Sequence, residues 1–316
     1  MPGRKKHAAA NHRPILVTGA NRSGTTWVGR ILASATGVNY IHEPFNHQYL
    51  DPACSLIPPP FAQHYHYVLP HEAKGVKRYL RYRMGHLWPW WLDVRNRPGL
   101  RRLAGASRRW LQARRAAFCR PLLKDPIALM SAEWLWRTFD LQVVVLVRHP
   151  AAYVSSIRRL NWPMRPHVFL NQPELMRDQL APLTGEITAQ HARANDPIGD
   201  AICAWNVFHH VIDGYRRRHA NWIFLRHEDL SRNYGEMFEA LFEKLGLDFG
   251  QHPRKVVGQL CNAANPAEAG GRVHRLKRNS RAVVWNWKKR LDREQIARIK
   301  SETDVIASRF YAPSDW

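Results

Sequence analysis

Arg13 to Ala20 reads RPILVTGA, Asn21 to Gly24 reads NRSG, and Thr25 to Ala35 reads TTWVGRILASA. The first stretch is a short apolar run that reaches a glycine, the pattern of a buried strand. The third places Trp27, Val28, Ile31, Leu32 and Ala35 at helical spacing. The opening therefore reads strand–loop–helix, with Gly19 and Gly24 bracketing the loop.

Working outward, Val38–Ile41 reads as the next strand and leads into His42-Glu43-Pro44. Residues 44–73 are rich in Pro and His and read as irregular, and residues 74–120 as a basic, Trp-containing, mostly helical section. Pro121–Lys124 and Gln142–Val147 (QVVVLV) follow as strands, and Trp222–Leu225 as another. Helices are expected at about Pro150–Leu160, Gly199–Arg218, Tyr234–Leu245 and Asp292–Phe310. The proline-rich stretch 161–197 lacks a sustained period, which predicts a long functional loop or lid with one broken helix. Strands alternating with helices predict an α/β, P-loop-containing nucleotide-binding fold, a parallel β-sheet flanked by helices. The expected organisation is a flexible basic arm over 1–13 and one domain over 14–316, with inserted segments 44–120 and 161–197. Ligands of such sheets bind at the C-terminal strand ends, where the motifs described next all fall.

Composition narrows the class. A chain of 316 residues with 45% hydrophobic content and 13 Trp is a folded globule, not a disordered chain. Cys54, Cys119, Cys203 and Cys261 are scattered without a Cys-x-x-Cys pair, so no zinc site or disulfide framework is expected and a reducing compartment is the default. No run approaches the roughly 18 apolar residues of a membrane span, and the N-terminus lacks the apolar stretch of a secretory signal. A cytoplasmic location is expected. The formal charge of +23 points to an anionic partner: nucleotide, nucleic acid, acidic glycan or anionic lipid.

Gly19-Ala20-Asn21-Arg22-Ser23-Gly24-Thr25-Thr26 nearly satisfies the phosphate-loop pattern G-x-x-x-x-G-K-[ST], but Thr25 stands where the lysine belongs and the cation sits at Arg22. Glycines free the backbone to wrap an anion, and the following helix offers unpaired N–H groups and a positive dipole end. A kinase or NTPase is the alternative. Such enzymes usually need the loop lysine and a strand-end acid to organise Mg²⁺, whereas the strand Gln142–Val147 ends in Arg148. A nucleic-acid-binding protein is a third reading, resting on charge alone without a supporting motif.

Arg148, at a strand tip, and Ser156, eight residues on in the next helix, are spaced to grip a second phosphate. Together with Arg22-Ser23-Gly24-Thr25-Thr26-Trp27, this pair resembles the sulfotransferases that use 3′-phosphoadenosine 5′-phosphosulfate (PAPS). The resemblance implies that Arg22, Ser23, Gly24, Thr25 and Thr26 hold the 5′-phosphosulfate, that Trp27 stacks on adenine, and that Arg148 and Ser156 hold the 3′-phosphate. His227-Glu228-Asp229-Leu230 resembles the family's Tyr-Glu-Asp-Leu/Met, which puts His227 against the nucleotide. Asn279-Ser280-Arg281 and Trp285-Asn286-Trp287-Lys288 sit where the family's C-terminal nucleotide segment lies. There Arg278 and Arg281 are either nucleotide contacts or solvated charges beside a packed Trp.

The small-molecule branch of that family uses the histidine of Lys-Thr-His-Leu-Pro as base. The matching stretch here is Lys124-Asp125-Pro126, with proline at that position. Lys-Asp-Pro with a Glu shortly after the first helix resembles the carbohydrate and protein-tyrosine branches instead. Glu43 then acts as base, with a pKa expected to be raised, Lys124 stabilises the transferring group or the leaving oxygen, and Arg22 joins them as a catalytic residue; no metal is required. The alternatives are a Glu43 that only forms a salt bridge, and His42 as base. The acceptor implied is a carbohydrate or glycolipid hydroxyl, with the tyrosine branch sharing these features.

Residues 74–120 hold fourteen Lys and Arg against one acid, Asp93, together with Trp88, Trp90, Trp91 and Trp110. This predicts a surface that docks an anionic acceptor or makes peripheral contact with the anionic inner membrane surface. The plainer reading is a solvated basic face over core tryptophans.

Overall fold

The computed structural model describes residues 13–48, 59–85, 118–262, 265–266 and 279–316. Among them, five strands form one parallel sheet in the order β2-β3-β1-β4-β5: β1 is Ile15–Gly19, β2 Val38–His42, β3 Arg120–Lys124, β4 Gln142–Val147 and β5 Ile223–Arg226. The α/β P-loop-type architecture is that expected from the alternation of strands and helices.

The continuous apolar run of β4 follows from burial on both faces. Val143 and Val145 enter one core, with Val154 and Ile157 of helix α4 (Pro150–Leu160) and Trp205 and Phe208 of helix α8 (Pro197–Arg218). Val144 and Leu146 enter the other, with Val28 and Ile31 of helix α1 (Thr25–Leu32) and Phe238 and Phe242 of helix α10 (Tyr234–Leu245). Removing a large side chain from either core would cost about 2–5 kcal/mol.

Residues 161–197 depart from the expected loop with one broken helix. They form helices α5 (His167–Leu170), α6 (Pro173–Asp178) and α7 (Thr184–Ala192), with a 3-10 turn at Ala181–Leu183. The prolines start these elements instead of breaking them: helices α6 and α8 and the 3-10 turn carry proline in the first two positions, where the missing N–H costs nothing. Helix α8 also begins earlier than its period suggested, because Asp196 caps it by accepting from the Gly199 N–H at 3.0 Å. Helices α3 (Ala132–Phe139), α9 (His227–Arg232) and α11 (Gln251–Cys261) were not expected. Each is short or mostly polar, so its apolar period is weak.

The basic section contains helix α2 (Ala73–Arg83), which buries Val76, Tyr79 and Leu80. Trp88, Trp90, Trp91, Trp110 and the arginines between them lie outside the described residues, as do Arg278 and the arm up to residue 12. Among the described residues no helix is long and apolar enough to cross a membrane.

Candidate active site

All five strands end at one edge of the sheet, and each delivers a candidate residue at its end or shortly after it. Arg22 and Gly24 follow β1, Glu43 follows β2, Lys124 ends β3, Arg148 follows β4 and His227 follows β5. A cavity of about 730 Å³ opens at this edge, and Arg22, Gly24, Thr25, Thr26, Trp27, Glu43, Arg148 and His227 line it.

The loop after β1 is fixed by space as much as by sequence. Gly19 has φ +138°, and a methyl group there would lie 2.3 Å from the Leu146 carbonyl oxygen of β4. Gly24, at φ +95°, caps helix α1, and a methyl group there would lie 2.6 Å from His227 Nδ1. Strand β5 therefore closes against the loop only because Gly24 has no side chain. Ser23 is fully buried, and its hydroxyl has no hydrogen-bond partner among the described residues. An unpaired buried hydroxyl beside free helix N–H groups fits a cradle for an anion.

The two basic motifs meet. Arg22 Nε donates to Ser156 Oγ at 3.2 Å, and Arg148 Nη1 donates to the Arg22 carbonyl. The Arg22 guanidinium also lies 5.4 Å from the centre of the Trp162 ring. The backbone of Arg148 is anchored by Trp205 Nε1, which donates to its carbonyl at 2.9 Å. Trp27 meets His227 edge-on at 5.6 Å and Phe238 at 5.3 Å, which leaves it nearly buried with one side on the cavity.

Glu228, next to His227, turns away from the cavity. It accepts from the His149 N–H at 3.0 Å and from the Tyr311 hydroxyl at 3.0 Å, tying the end of β5 to that of β4. Trp287 stacks on His149 at 5.1 Å, so its segment supports the Arg148 turn from behind. Arg281 is exposed and donates to the Arg232 carbonyl at 3.3 Å; Ser280 beside it lines the cavity and Arg281 does not.

Glu43 is mostly buried, and its N–H donates to the Lys124 carbonyl at 2.9 Å, continuing the β2–β3 ladder by one bond. Its Oε1 accepts from Lys124 Nζ and its Oε2 from Asn46 Nδ2 at 2.9 Å. Burial pushes the carboxyl up, but the charge and hydrogen bond of Lys124 pull it down further, so it sits below its ordinary value. The raised pKa expected from its apolar flanks is corrected here: the sequence did not reveal that Lys124 lies against it. Lys124 has no exposed side-chain surface; burial lowers its pKa, against the pull of Glu43. His42 stands 3.9 Å from Glu43 Oε2 and stacks on Tyr40 without lining the cavity.

Asp125 was not singled out, yet it organises this corner. It is a strand-end acid beside β1, and it is wholly buried. Its oxygens accept from the N–H groups of Phe45, Ile127 and Ala128 at 2.7, 2.9 and 3.1 Å. Burial and the charge of Glu43 raise it to about 7. Its lone pairs hold the loop after β2 against the turn after β3. Among the described residues no group of three or more His, Cys, Asp or Glu is placed to hold a metal ion.

Beyond Glu43 the wall changes character. Asn46, Gln48 and His64 are polar, while Trp162, Met164, Val168 and Phe169 are apolar. None was expected as a site residue, because they are dispersed over segments without a compact motif.

A family model described as the sulfotransferase family matches residues 14–251. Comparison with curated proteins gives no match. Among solved structures, the sulfotransferase domain from the Synechococcus PCC 7002 olefin synthase is 18% identical with a TM-score of 0.48, over 98% of this chain and 99% of that one. The sulfotransferase domain from the curacin biosynthetic pathway is 16% identical with a TM-score of 0.48, over 92% and 97%. A sulfotransferase from Mycobacterium avium is 13% identical with a TM-score of 0.45, over 96% and 78%.

Proposed function

The chain belongs to the sulfotransferase family and is a sulfotransferase; we propose that it moves the sulfuryl group of PAPS to a hydroxyl of a carbohydrate or glycolipid. The observation that carries this reading is one cavity with two unlike ends. Arg22, Arg148 and Ser156 are joined at one, and Glu43 stands in front of a polar and apolar wall at the other.

In the proposed reaction the acceptor oxygen forms a bond to sulfur as the bond from sulfur to the 5′-phosphate oxygen breaks. The electron pair of that bond stays on the phosphate, and the acceptor proton goes to Glu43. Arg22 and the N–H groups at the start of α1 answer the charge that grows on the phosphate. Arg148 and Ser156 hold the 3′-phosphate, and Trp27 and His227 flank the base. Lys124 acts on Glu43, fixing the carboxylate by one oxygen and keeping it ionised. Asn46, Gln48 and His64 suit a sugar, and Trp162, Met164 and Phe169 suit an attached apolar body. Docking of an anionic acceptor or membrane surface by residues 74–120 belongs to the same proposal and rests on the charge of the sequence.

Calorimetry with adenosine 3′,5′-bisphosphate, AMP and ADP tests the donor end. The bisphosphate is expected to bind at least roughly tenfold better than AMP, a margin in keeping with charged hydrogen bonds to one extra phosphate. Arg148→Ala should abolish the margin. Equal affinities in the parent would overturn the donor assignment, and a preference for ADP with Mg²⁺ would favour a kinase.

A further inference from the structure

We propose that the hydroxyl of Tyr65 is a specificity-determining group: it donates a hydrogen bond to an acceptor oxygen beside the hydroxyl that is sulfated, and so selects sugar-like acceptors over simple alcohols. This rests on the acceptor reading above and adds a residue and a selection rule to it.

Tyr65 lines the cavity although its residue surface is only 7% exposed. Its ring is packed against Phe208 at 4.8 Å and Phe169 at 5.9 Å. A phenylalanine would serve that packing equally well. The hydroxyl is what packing does not explain: no hydrogen bond joins it to another described residue, and it is not among the enclosed unpaired polar atoms, so it is left for whatever enters the cavity that Tyr65 lines. A phenol packed on its ring and open at its oxygen is suited to bond a ligand.

The backbone is held in an uncommon conformation. Tyr65 has φ +56°, a region costly for a bulky side chain. Its surroundings impose it. Gln172 donates to the Tyr65 carbonyl at 3.2 Å and accepts from the Tyr67 N–H at 2.9 Å. Ser131 Oγ donates to the His66 carbonyl at 2.6 Å and accepts from the Val68 N–H at 2.9 Å. Two buried side chains thus clamp the backbone from the Tyr65 carbonyl to Val68, just after the tyrosine.

Its protonation suits a donor. Burial, then the charges of Glu43 and Asp125, raise the phenol above its ordinary value, so it keeps its proton wherever the enzyme folds. Tyr65 and Glu43 line the same cavity. A neutral phenol offers one donor and two acceptor lone pairs. A donor at the attacking oxygen would blunt the nucleophile, which leaves a neighbouring acceptor oxygen as its useful partner.

The test crosses two enzymes with two probes that share an apolar body: parent and Tyr65→Phe, with octyl β-D-glucoside and 1-octanol, PAPS as donor and kcat/KM as readout. The parent should favour the glucoside. Tyr65→Phe should lose roughly tenfold on the glucoside and less than about twofold on octanol, the cost of leaving one substrate oxygen unpaired. Its affinity for adenosine 3′,5′-bisphosphate and its melting temperature should match the parent's. Equal losses on both probes, or no loss on either, overturn the assignment while leaving sulfuryl transfer in place. A parent that binds the bisphosphate and sulfates neither probe overturns it too. A parent that fails to bind the bisphosphate breaks the donor reading itself, a separate result.

Discussion

The two ends of the cavity are made differently. The donor end is backbone: a loop between two glycines, a helix start, and strand tips whose spacing the sheet fixes. Arg148 and His227 come one residue past a strand end, Arg22 three, and glycines are required in the loop because β4 and His227 crowd in. The acceptor end is side chain. Asn46, His64 with Tyr65, and Trp162 with Phe169 come from three stretches of chain and meet only through tertiary packing. A site cut from backbone tolerates little change and carries a short signature. One assembled from side chains can be refitted residue by residue, which is how one donor serves many acceptors.

The sharpest way to break this comparison is at Glu43, which stands in front of the acceptor wall. Glu43→Gln keeps the shape and removes the base, so turnover should fall by about 10²–10⁴-fold while bisphosphate affinity stays within about threefold. Single-turnover rates and calorimetry measure the two. Near-normal turnover would end the division of labour and make His42 the next candidate.

A middle-sized effect concerns pH. In the parent, Lys124 holds Glu43 below its ordinary value, so with Glu43 as the proposed base activity should persist down into the acid range before falling as the carboxyl protonates. Lys124→Met removes the cation and leaves burial unopposed. The carboxyl then protonates at a higher pH, and the acid limb of the kcat/KM profile should move up. An unmoved limb would mean that Lys124 does not tune Glu43.

The smallest expected effect sharpens the boundary. Trp162 is part of the acceptor wall, but its ring faces the Arg22 guanidinium of the donor loop. Trp162→Ala should weaken bisphosphate binding by about two- to fivefold, the scale of an exposed cation–π contact. No change would make the ends energetically separate.

Legibility in the sequence followed the same division. The strand–loop–helix opening, QVVVLV and the Arg148–Ser156 spacing were readable because each is local. That Arg22 bonds Ser156 across 134 positions was not, although the motifs implied a shared ligand. Asp125 escaped notice because its importance lies in three backbone N–H partners that no spacing reveals. The resemblance gives Lys124 a role at the transferring group, but its position beside Glu43 depends on the β2–β3 register, which pairs His42 with Lys124. The helices of residues 161–197 were obscured by prolines whose meaning depends on whether they start an element or interrupt one.

Six residues other than glycine have positive φ: Arg22, Glu43, Tyr65, Asp140, Asn161 and Asn195, counted among the described residues. Asp and Asn tolerate that region, because their short side chains bond the local backbone. The other three do not, and all three line the cavity. Each holds roughly 1–3 kcal/mol of conformational strain that a glycine would partly release. Selection for heat resistance alone would therefore press hardest on the residues that the chemistry needs. A thermostable variant evolved without an activity screen should drift toward a well-folded, inert sheet, and the three positions that change first would mark where fold and function part.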